Sequence, residues 1–450
     1  MSGPPPVVAA TVQGRGTPGL TTASGTGRRV AVTGLGLLTA LGEGAGATWA
    51  GLLGGRGGIG PLRGYDPSPL RTRVGAEIHG FDATRFASRR ALRTLNRGDR
   101  LAVAGAALAL ADAGLDGEGE LGSRTGLFLG GNKEMPRMDG LIAGVATARD
   151  RGGAVDLAAL GRTAASVIPP LFFVEGLQPA ASFHISHRYG IRGANVFLAG
   201  TADSGTSAIG HAMRAVRRGE ADLVLAGGYD DATSWWPASK MDGLGVLTTR
   251  NDLGAEAFRP FDKDHTGSVL GEGAALLVLE ELGHARRRGA RVYAELTGFG
   301  AGNDCVRPPA PHPRGRGLSH AIGRALRDAG RGPGTDYVAA HGCATPRGDV
   351  SEARALRDAL GHRADAAAIS SVKPQTGHLV GGAGALNAAV AALALYTGVI
   401  PATPHLETPA PGCDLDWVPG APRDARPATA LALARGLEGQ AAALALARFP

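Results

Sequence analysis

Residues 196–213, "VFLAGTADSGTSAIGHAM", run from an apolar strand through a corner of small residues into a helix rich in Ala, Gly and Ser. The side chain at that corner is Asp203. It points from the positive end of a helix, where an anion is stabilised. The layout suits a nucleophile, yet a carboxylate is a poor one at carbonyl carbon beside Ser or Cys. Further along, "AAHGCATPRGDVSEA" at 339–353 places His341 after a short apolar strand, ahead of Asp349 and Glu352. "SSVKPQTGHLVGGAGALNA" at 370–388 sets Lys373 and His378 around a tight turn with a Gly/Ala helix behind them. Two histidines and a lysine from separate loops can hydrogen-bond one carbonyl oxygen as negative charge develops on it, which stabilises a transition state. Each histidine alone reads as a structural residue. Their joint placement in glycine-rich corners is what points to a site.

The elements that must position these corners follow a mixed α/β pattern, in which short β-branched or Leu-rich runs alternate with Ala-rich helical stretches. Strands are expected at 29–34, 125–130, 222–228, 274–280, 291–298 and 442–448, and helices at 98–113, 204–218, 317–329, 350–359 and 382–397. The chain also echoes itself. "RRVAVTGLGLLTALG" at 28–42 is matched by "ARVYAELTGFGAGND" at 290–304, and each opens a half that later presents a small-residue helix at a polar corner. Duplication of one α/β unit, with the site between the halves, is the simplest reading. "GLGLLTALG" looks like a dinucleotide loop but lacks the G-x-G-x-x-G spacing.

Composition narrows the class. The 450 residues are 44% apolar and 19% charged, with a mean hydropathy of −0.01, which suits a globular chain with a large core. The net charge of +7 is carried mainly by scattered arginines, since only Lys133, Lys240, Lys263 and Lys373 are lysines. No basic run interleaved with aromatics marks a nucleic-acid groove, though a basic surface can steer an acidic partner. Cys305, Cys343 and Cys413 are too few and too widely spaced for a disulfide framework or a zinc site, which suggests a reducing cytoplasm. No apolar run reaches the ~18 residues that would span a membrane. Residues 1–27 are rich in Pro, Gly, Ser and Thr and read as a disordered leader.

Ordered motifs across residues 28–448 give the chain a resemblance to a known family. They are "VAVTGLGLLTALG", "RLAVAGAALALADAGL", "ISHRYGIRGANVFLAGTADSG", "RRGEADLVLAGGYDD", "FRPFDKDHTGSVLGEGAALLVLE", "HGCATPRGDVSEA" and "VKPQTGHLVGGAGALNAA". With these the chain resembles the β-ketoacyl-acyl-carrier-protein synthases, the condensing enzymes of fatty acid and polyketide synthesis. The resemblance implies a thiolase-like α/β fold, five-layered α-β-α-β-α with two pseudo-repeated halves. It divides the chain into the leader 1–27, a half at 28–280 carrying the nucleophile corner, and a half at 281–450 carrying the His/Lys/His loops. In an active member a cysteine in T-A-C-S takes an acyl chain from a carrier protein, and the histidines help decarboxylate malonyl-carrier and stabilise the enolate. Here the cysteine's position is Asp203 within "TADS", while His341, His378 and Lys373 match the family's catalytic triplet.

Further departures gather in the same neighbourhood. H-G-T-x-T-P reads "HGCATP", so Cys343 replaces one of two threonines that would bond the phosphopantetheine arm, and Thr345 remains. The usual Arg-Asp pair is His265-Thr266, and the usual supporting glutamate is Asn387. The gating loop reads "ARGLEGQAAA", with Leu437 for the aromatic and Glu438 for a glycine, and its "ARG" opening is similar to that of chain-length factors. Lost carboxylates are expected to loosen the histidines. Asp203 itself is expected to be ionised at its helix N-terminus.

These residues suggest a non-condensing partner of a cysteine-bearing ketosynthase, with the acyl carrier protein as a second partner. A heterodimer is expected ahead of a homodimer. No metal, nucleotide or flavin motif is visible, so no bound cofactor is expected, and composition gives no nucleic-acid or membrane partner; the resemblance adds the carrier's phosphopantetheine arm as the substrate carrier. The alternatives are a malonyl-carrier decarboxylase, a still-active synthase with an unusual site, or a sequestering carrier-protein binder.

Overall fold

A computed structural model of the chain describes residues 27–117, 120–132, 138–149, 152–177 and 180–450. The leader expected at 1–27 lies outside the described residues apart from Gly27. Apart from two-residue strands at 42–43, 60–61, 74–75, 399–400 and 423–424, the strands of the first half are β1 (Val30–Thr39), β2 (Thr125–Gly131), β3 (Asn195–Ala199), β4 (Leu223–Asp230) and β5 (Gly273–Glu281). In the second they are β6 (Ala294–Asn303), β7 (Tyr337–Ala339), β8 (Ala368–Ser370), β9 (Thr429–Arg435) and β10 (Gln440–Ala447).

Within the first half the spatial order is β1-β5-β4-β2-β3, and within the second it is β6-β10-β9-β7-β8. The directions agree as well. The first three strands of each set pair antiparallel, and the outer two join parallel. The two sets are therefore one topology used twice, and the segments at 28–42 and 290–304 that echo one another fall on the corresponding strands β1 and β6. The sets meet where Val30, Ala31 and Val32 pair with Leu296, Glu295 and Ala294.

The helices sort into layers by how their apolar residues are spaced. The helices α1 (Arg97–Asp112), α3 (Arg316–Asp328) and α4 (Pro346–Leu360) lie on the outer faces. On α3 the buried Leu318, Ala321, Ile322, Ala325 and Leu326 recur at the spacing of a single stripe, so only one face meets the sheet. Between the sheets lie α2 (Asp203–Arg217) and α5 (Ala383–Thr397), and α5 is buried on every side along nearly its whole length. The resulting order is α-β-α-β-α.

The central layer depends on small residues. A Cβ on Gly205 would stand 2.8 Å from Gly381 O and 3.2 Å from Ala385 Cβ, and one on Gly384 would collide with Thr206 Oγ1. These glycines let α2 and α5 approach backbone to backbone. Gly36 does the same on β1, where a Cβ would strike the carbonyl of Gly105 on α1. Gly34 and Gly36 of "GLGLLTALG" thus serve helix packing inside a continuous strand.

The expectation that no apolar run reaches spanning length needs correction. Val380–Thr397 is 18 residues long with a mean hydropathy of 1.4, and 89% of it is buried inside the fold. Its apolarity belongs to the middle layer, which touches protein all round.

Candidate functional site

The site forms where the C-terminal ends of the strands meet the starts of the central helices. β3 ends at Ala199, and after a three-residue corner α2 begins at Asp203. In the second half, β7 leads through Ala340 to His341, and β8 leads through a short helix, Lys373–Thr376, to His378. Both histidine loops contain left-handed backbone. Gly342 and Gly377 have φ of 39° and 68°, and the non-glycine residues Ala344 and Val380 have φ of 57° and 39°. A side chain at positive φ is strained by about 1–3 kcal/mol, and such strain concentrates at functional corners.

The two imidazoles stand face to edge, with ring centroids 5.4 Å apart and planes at 77°. Each accepts a backbone N–H at Nδ1, His341 from Arg435 at 3.4 Å and His378 from Val380 at 3.0 Å. Each neutral ring therefore carries its proton on Nε2. Burial holds both rings well below the usual histidine range, reinforced by Lys373 and, at His341, by His378 and Arg435. They are neutral donors at physiological pH. The expected loosening is not what the structure has, because backbone donors orient both rings.

The surrounding charges serve the loops. Glu352 accepts the backbone N–H groups of His341 at 2.7 Å and Gly342 at 2.8 Å. Lys373, 2% exposed, donates to the carbonyl of His341, and burial lowers it to about 8. Asn387 donates to the carbonyls of Ala340 at 2.9 Å and Leu433 at 2.8 Å, tying β9 to the His341 loop. His265 pairs through Nδ1 with Asp349 at 2.9 Å, and Thr266 meets Thr248 at 2.6 Å.

Asp203 is harder to ionise than a carboxylate at a helix N-terminus ordinarily is, though it is still the anion at neutral pH. Burial raises it to about 6, and the charge of Glu438 pushes the same way against the backbone N–H donors that favour the anion. Its Oδ1 is buried without a hydrogen-bond partner. The turn after β9 lies over it: a Cβ on Gly436 would stand 2.6 Å from Asp203 Oδ1 and 2.7 Å from Thr201 Oγ1. Thr201 also pins that turn, accepting from Leu437 N at 3.0 Å and donating to Glu438 at 3.3 Å.

A cavity of about 400 Å³ opens beside these groups. His341, His378, Cys343, Thr345 and Leu437 line it, with Met241, Leu247 and Leu270 forming an apolar wall. Asp203 and Lys373 stand behind its lining, and Glu438 is exposed on the covering turn. Cys343 Sγ lies 3.2 Å from Thr345 Oγ1, and burial raises its thiol. Sequence reasoning missed Thr201, Ser268 and Arg435, all of which line the cavity. Among the described residues no cluster of three His, Cys, Asp or Glu is placed to hold a metal ion.

The chain matches the family models "Beta-ketoacyl synthase, N-terminal domain" over residues 27–285 and "Beta-ketoacyl synthase, C-terminal domain" over residues 293–407. It is 35% identical to the 3-oxoacyl-acyl-carrier-protein synthase 2 of Coxiella burnetii, covering 94% of this chain and 99% of that protein. It is 38% identical to the oxytetracycline polyketide putative beta-ketoacyl synthase 1 of Streptomyces rimosus, covering 93% and 97%. The solved ishigamide ketosynthase/chain length factor superposes with a TM-score of 0.83 at 29% identity, covering 94% of this chain and 100% of that one. A type II polyketide ketosynthase in complex with its acyl-carrier protein superposes with a TM-score of 0.81 at 26% identity, again covering 94% and 100%. A doubled α/β topology, a helix N-terminus facing two neutral histidines, and sequence matches over both halves agree: this chain belongs to the β-ketoacyl synthase family.

Proposed function

We propose that this family member is a non-condensing subunit that acts beside a cysteine-bearing ketosynthase in the manner of a chain-length factor. The observation that carries the reading is Asp203 at the start of α2, covered by the Gly436 turn. A carboxylate cannot hold a growing chain as a thioester, and an acyl anhydride is short-lived in water. The similarity to a ketosynthase/chain length factor structure supports the same reading. So does the outer edge of β3, which among the described residues pairs with β2 alone. Helix Ala180–Tyr189 adjoins that edge through Asn195 and Ser186, and it exposes 63% of Phe183, an apolar face suited to a partner subunit. An acyl carrier protein delivers its phosphopantetheine arm to the pair, in a cytoplasmic setting.

Co-expression with the cognate ketosynthase tests the role. A 1:1 complex and a product length that changes when this chain is omitted are expected. A stable acyl adduct on Asp203 in intact-mass spectra would overturn the reading.

One observation favours a second reading, decarboxylation of malonyl-carrier: two neutral imidazoles present Nε2–H groups beside one cavity. Ionised Asp203 opposes an adjacent enolate by about 4 kcal/mol at ~4 Å and an effective dielectric near 20. Any carbon dioxide release should therefore fall as pH rises through about 6, where Asp203 ionises. A rate flat across that range would exclude Asp203 from the chemistry.

A further inference from the structure

The cavity wall contains a hydroxyl that the fold does not use. Ser268 lines the cavity at 6% exposure, and its Oγ is buried without a hydrogen-bond partner among the described residues. Other polar side chains of the wall are engaged within the protein. Thr201 holds the covering turn, Thr266 meets Thr248, and Cys343 meets Thr345. Asp304 accepts Gly317 N and His312 N, and Arg435 donates to Ser351 and Gly348. A buried hydroxyl with no partner is costly, because it has given up its hydration for nothing in return. A group of the bound molecule that meets it would remove that cost.

The backbone fixes where that hydroxyl stands. Ser268 pairs with Leu247 as a parallel bridge, donating its N–H to Val246 O and accepting Thr248 N, each at 2.9 Å. Beside it, Gly267 N donates at 2.9 Å to the carbonyl of Ala344, the residue between Cys343 and Thr345. Two residues on, Leu270 bridges His378, with His378 N donating to Val269 O at 2.8 Å and Gly271 N to His378 O at 3.0 Å. Ser268 and Leu270 both line the cavity, while Val269 between them packs with Val74, Ala76 and Phe258 on the other side. The segment is therefore extended, and Ser268 stands about 6.5 Å along the wall from the level of His378.

We propose that Ser268 is a specificity-determining residue of this cavity, whose hydroxyl donates to a second carbonyl of the bound molecule when the first faces the Nε2–H groups of His341 and His378. With a single χ1, the serine can turn its hydroxyl toward whatever fills the cavity. Its neighbours Leu247 and Leu270 are apolar, so the hydroxyl marks one depth along an otherwise greasy wall. The inference rests on the reading of this cavity as the site of a carrier's arm. Two carbonyls of an acyl-pantetheine fall at the required separation from the thioester. One is the inner amide of the arm, on the sulfur side, and the other is a ketone near the seventh carbon of the acyl chain. Probes carrying one or the other distinguish them.

The test is calorimetric binding of three probes to the full chain, each with NH in place of the thioester sulfur: octanoyl-pantetheine, 7-oxo-octanoyl-pantetheine, and octanoyl-pantetheine with its inner arm amide replaced by hydrocarbon. The amide or the ketone should strengthen binding about two- to ten-fold. Ser268→Ala should remove that gain and bind the probe lacking the group as the parent does, and which gain disappears identifies the carbonyl. Without ligand, Ser268→Ala should melt at or above the parent, because it deletes an unpartnered buried hydroxyl. No gain from either carbonyl, or gains that survive the substitution, would overturn the proposal. A lower melting temperature would overturn it too, by showing that the hydroxyl serves the fold. If octanoyl-pantetheine does not bind the parent, the arm-site reading falls and the proposal falls with it.

Discussion

A carboxylate at a helix N-terminus is ordinarily favoured as the anion. At Asp203 burial outweighs the helix and raises the group from 3.8 to about 6. A raised acid contributes stability that is fully present below its unfolded value and is lost as pH rises through its folded value. Asp203→Asn should therefore melt higher than the parent at pH 8, by of the order of 1–3 kcal/mol, and the advantage should shrink toward pH 4. A melting series across pH checks it, and an advantage that grows toward pH 4 would contradict the assignment. Asp203→Cys puts a thiol near two neutral histidines, yet elongation should stay poor, because Leu437, Glu438 and Cys343 remain. Robust multi-turn elongation by that variant alone would confine the loss of function to one residue. His341, Lys373, His378 and Asp203 were legible in sequence because each sits in a short motif with a fixed neighbour pattern. Arg435 and Thr201 stand inside the quoted "ARG" and "TADS" motifs, but what each touches was not legible, since the partners of both lie far off in sequence.

Longer elements were legible for the same kind of reason. β1, β4, β5, β10 and helices α1, α2, α3 and α5 begin within a residue or two of expectation, because apolar periodicity over eight or more residues survives any context. β7 and β8 are three residues each, too short for a period, and their parallel pairing is a product of the whole sheet. The turn joining β9 to β10 is where an element-scale change should be felt. Gly436→Ala drives a methyl into Asp203 and Thr201, so it should displace the covering turn at a cost of about 1–3 kcal/mol, visible as a lower melting temperature. Asn387→Leu strands the carbonyls of Ala340 and Leu433 in a dry interior, at about 1–3 kcal/mol for each group left unpaired. If that variant melts like the parent, the tie between β9 and the His341 loop is dispensable.

Across the whole molecule, the doubled topology places the corner of one half against the loops of the other, so neither half holds the site alone. The echo between 28–42 and 290–304 showed in sequence because strands β1 and β6 kept their packing glycines, whereas the outer strands of the two sets differ in length. The outer edge of β3 and the exposed Phe183 make a prediction about assembly. Phe183→Asp should weaken association with a partner subunit while leaving the melting of the isolated chain within about 0.5 kcal/mol of the parent; unchanged association would move the interface elsewhere. The glycine seam between α2 and α5 has a different consequence, for how this sequence tolerates random change. In a saturation library scored by support of product formation in a cell, positions such as Gly205 and Gly384 should reject every larger residue, because backbone lies where a side chain would go. Positions 341 and 378 should accept many substitutions if the subunit contributes shape. A condensing enzyme would give the reverse weighting at its histidines, so the map of tolerated residues separates scaffold from catalyst without purifying either.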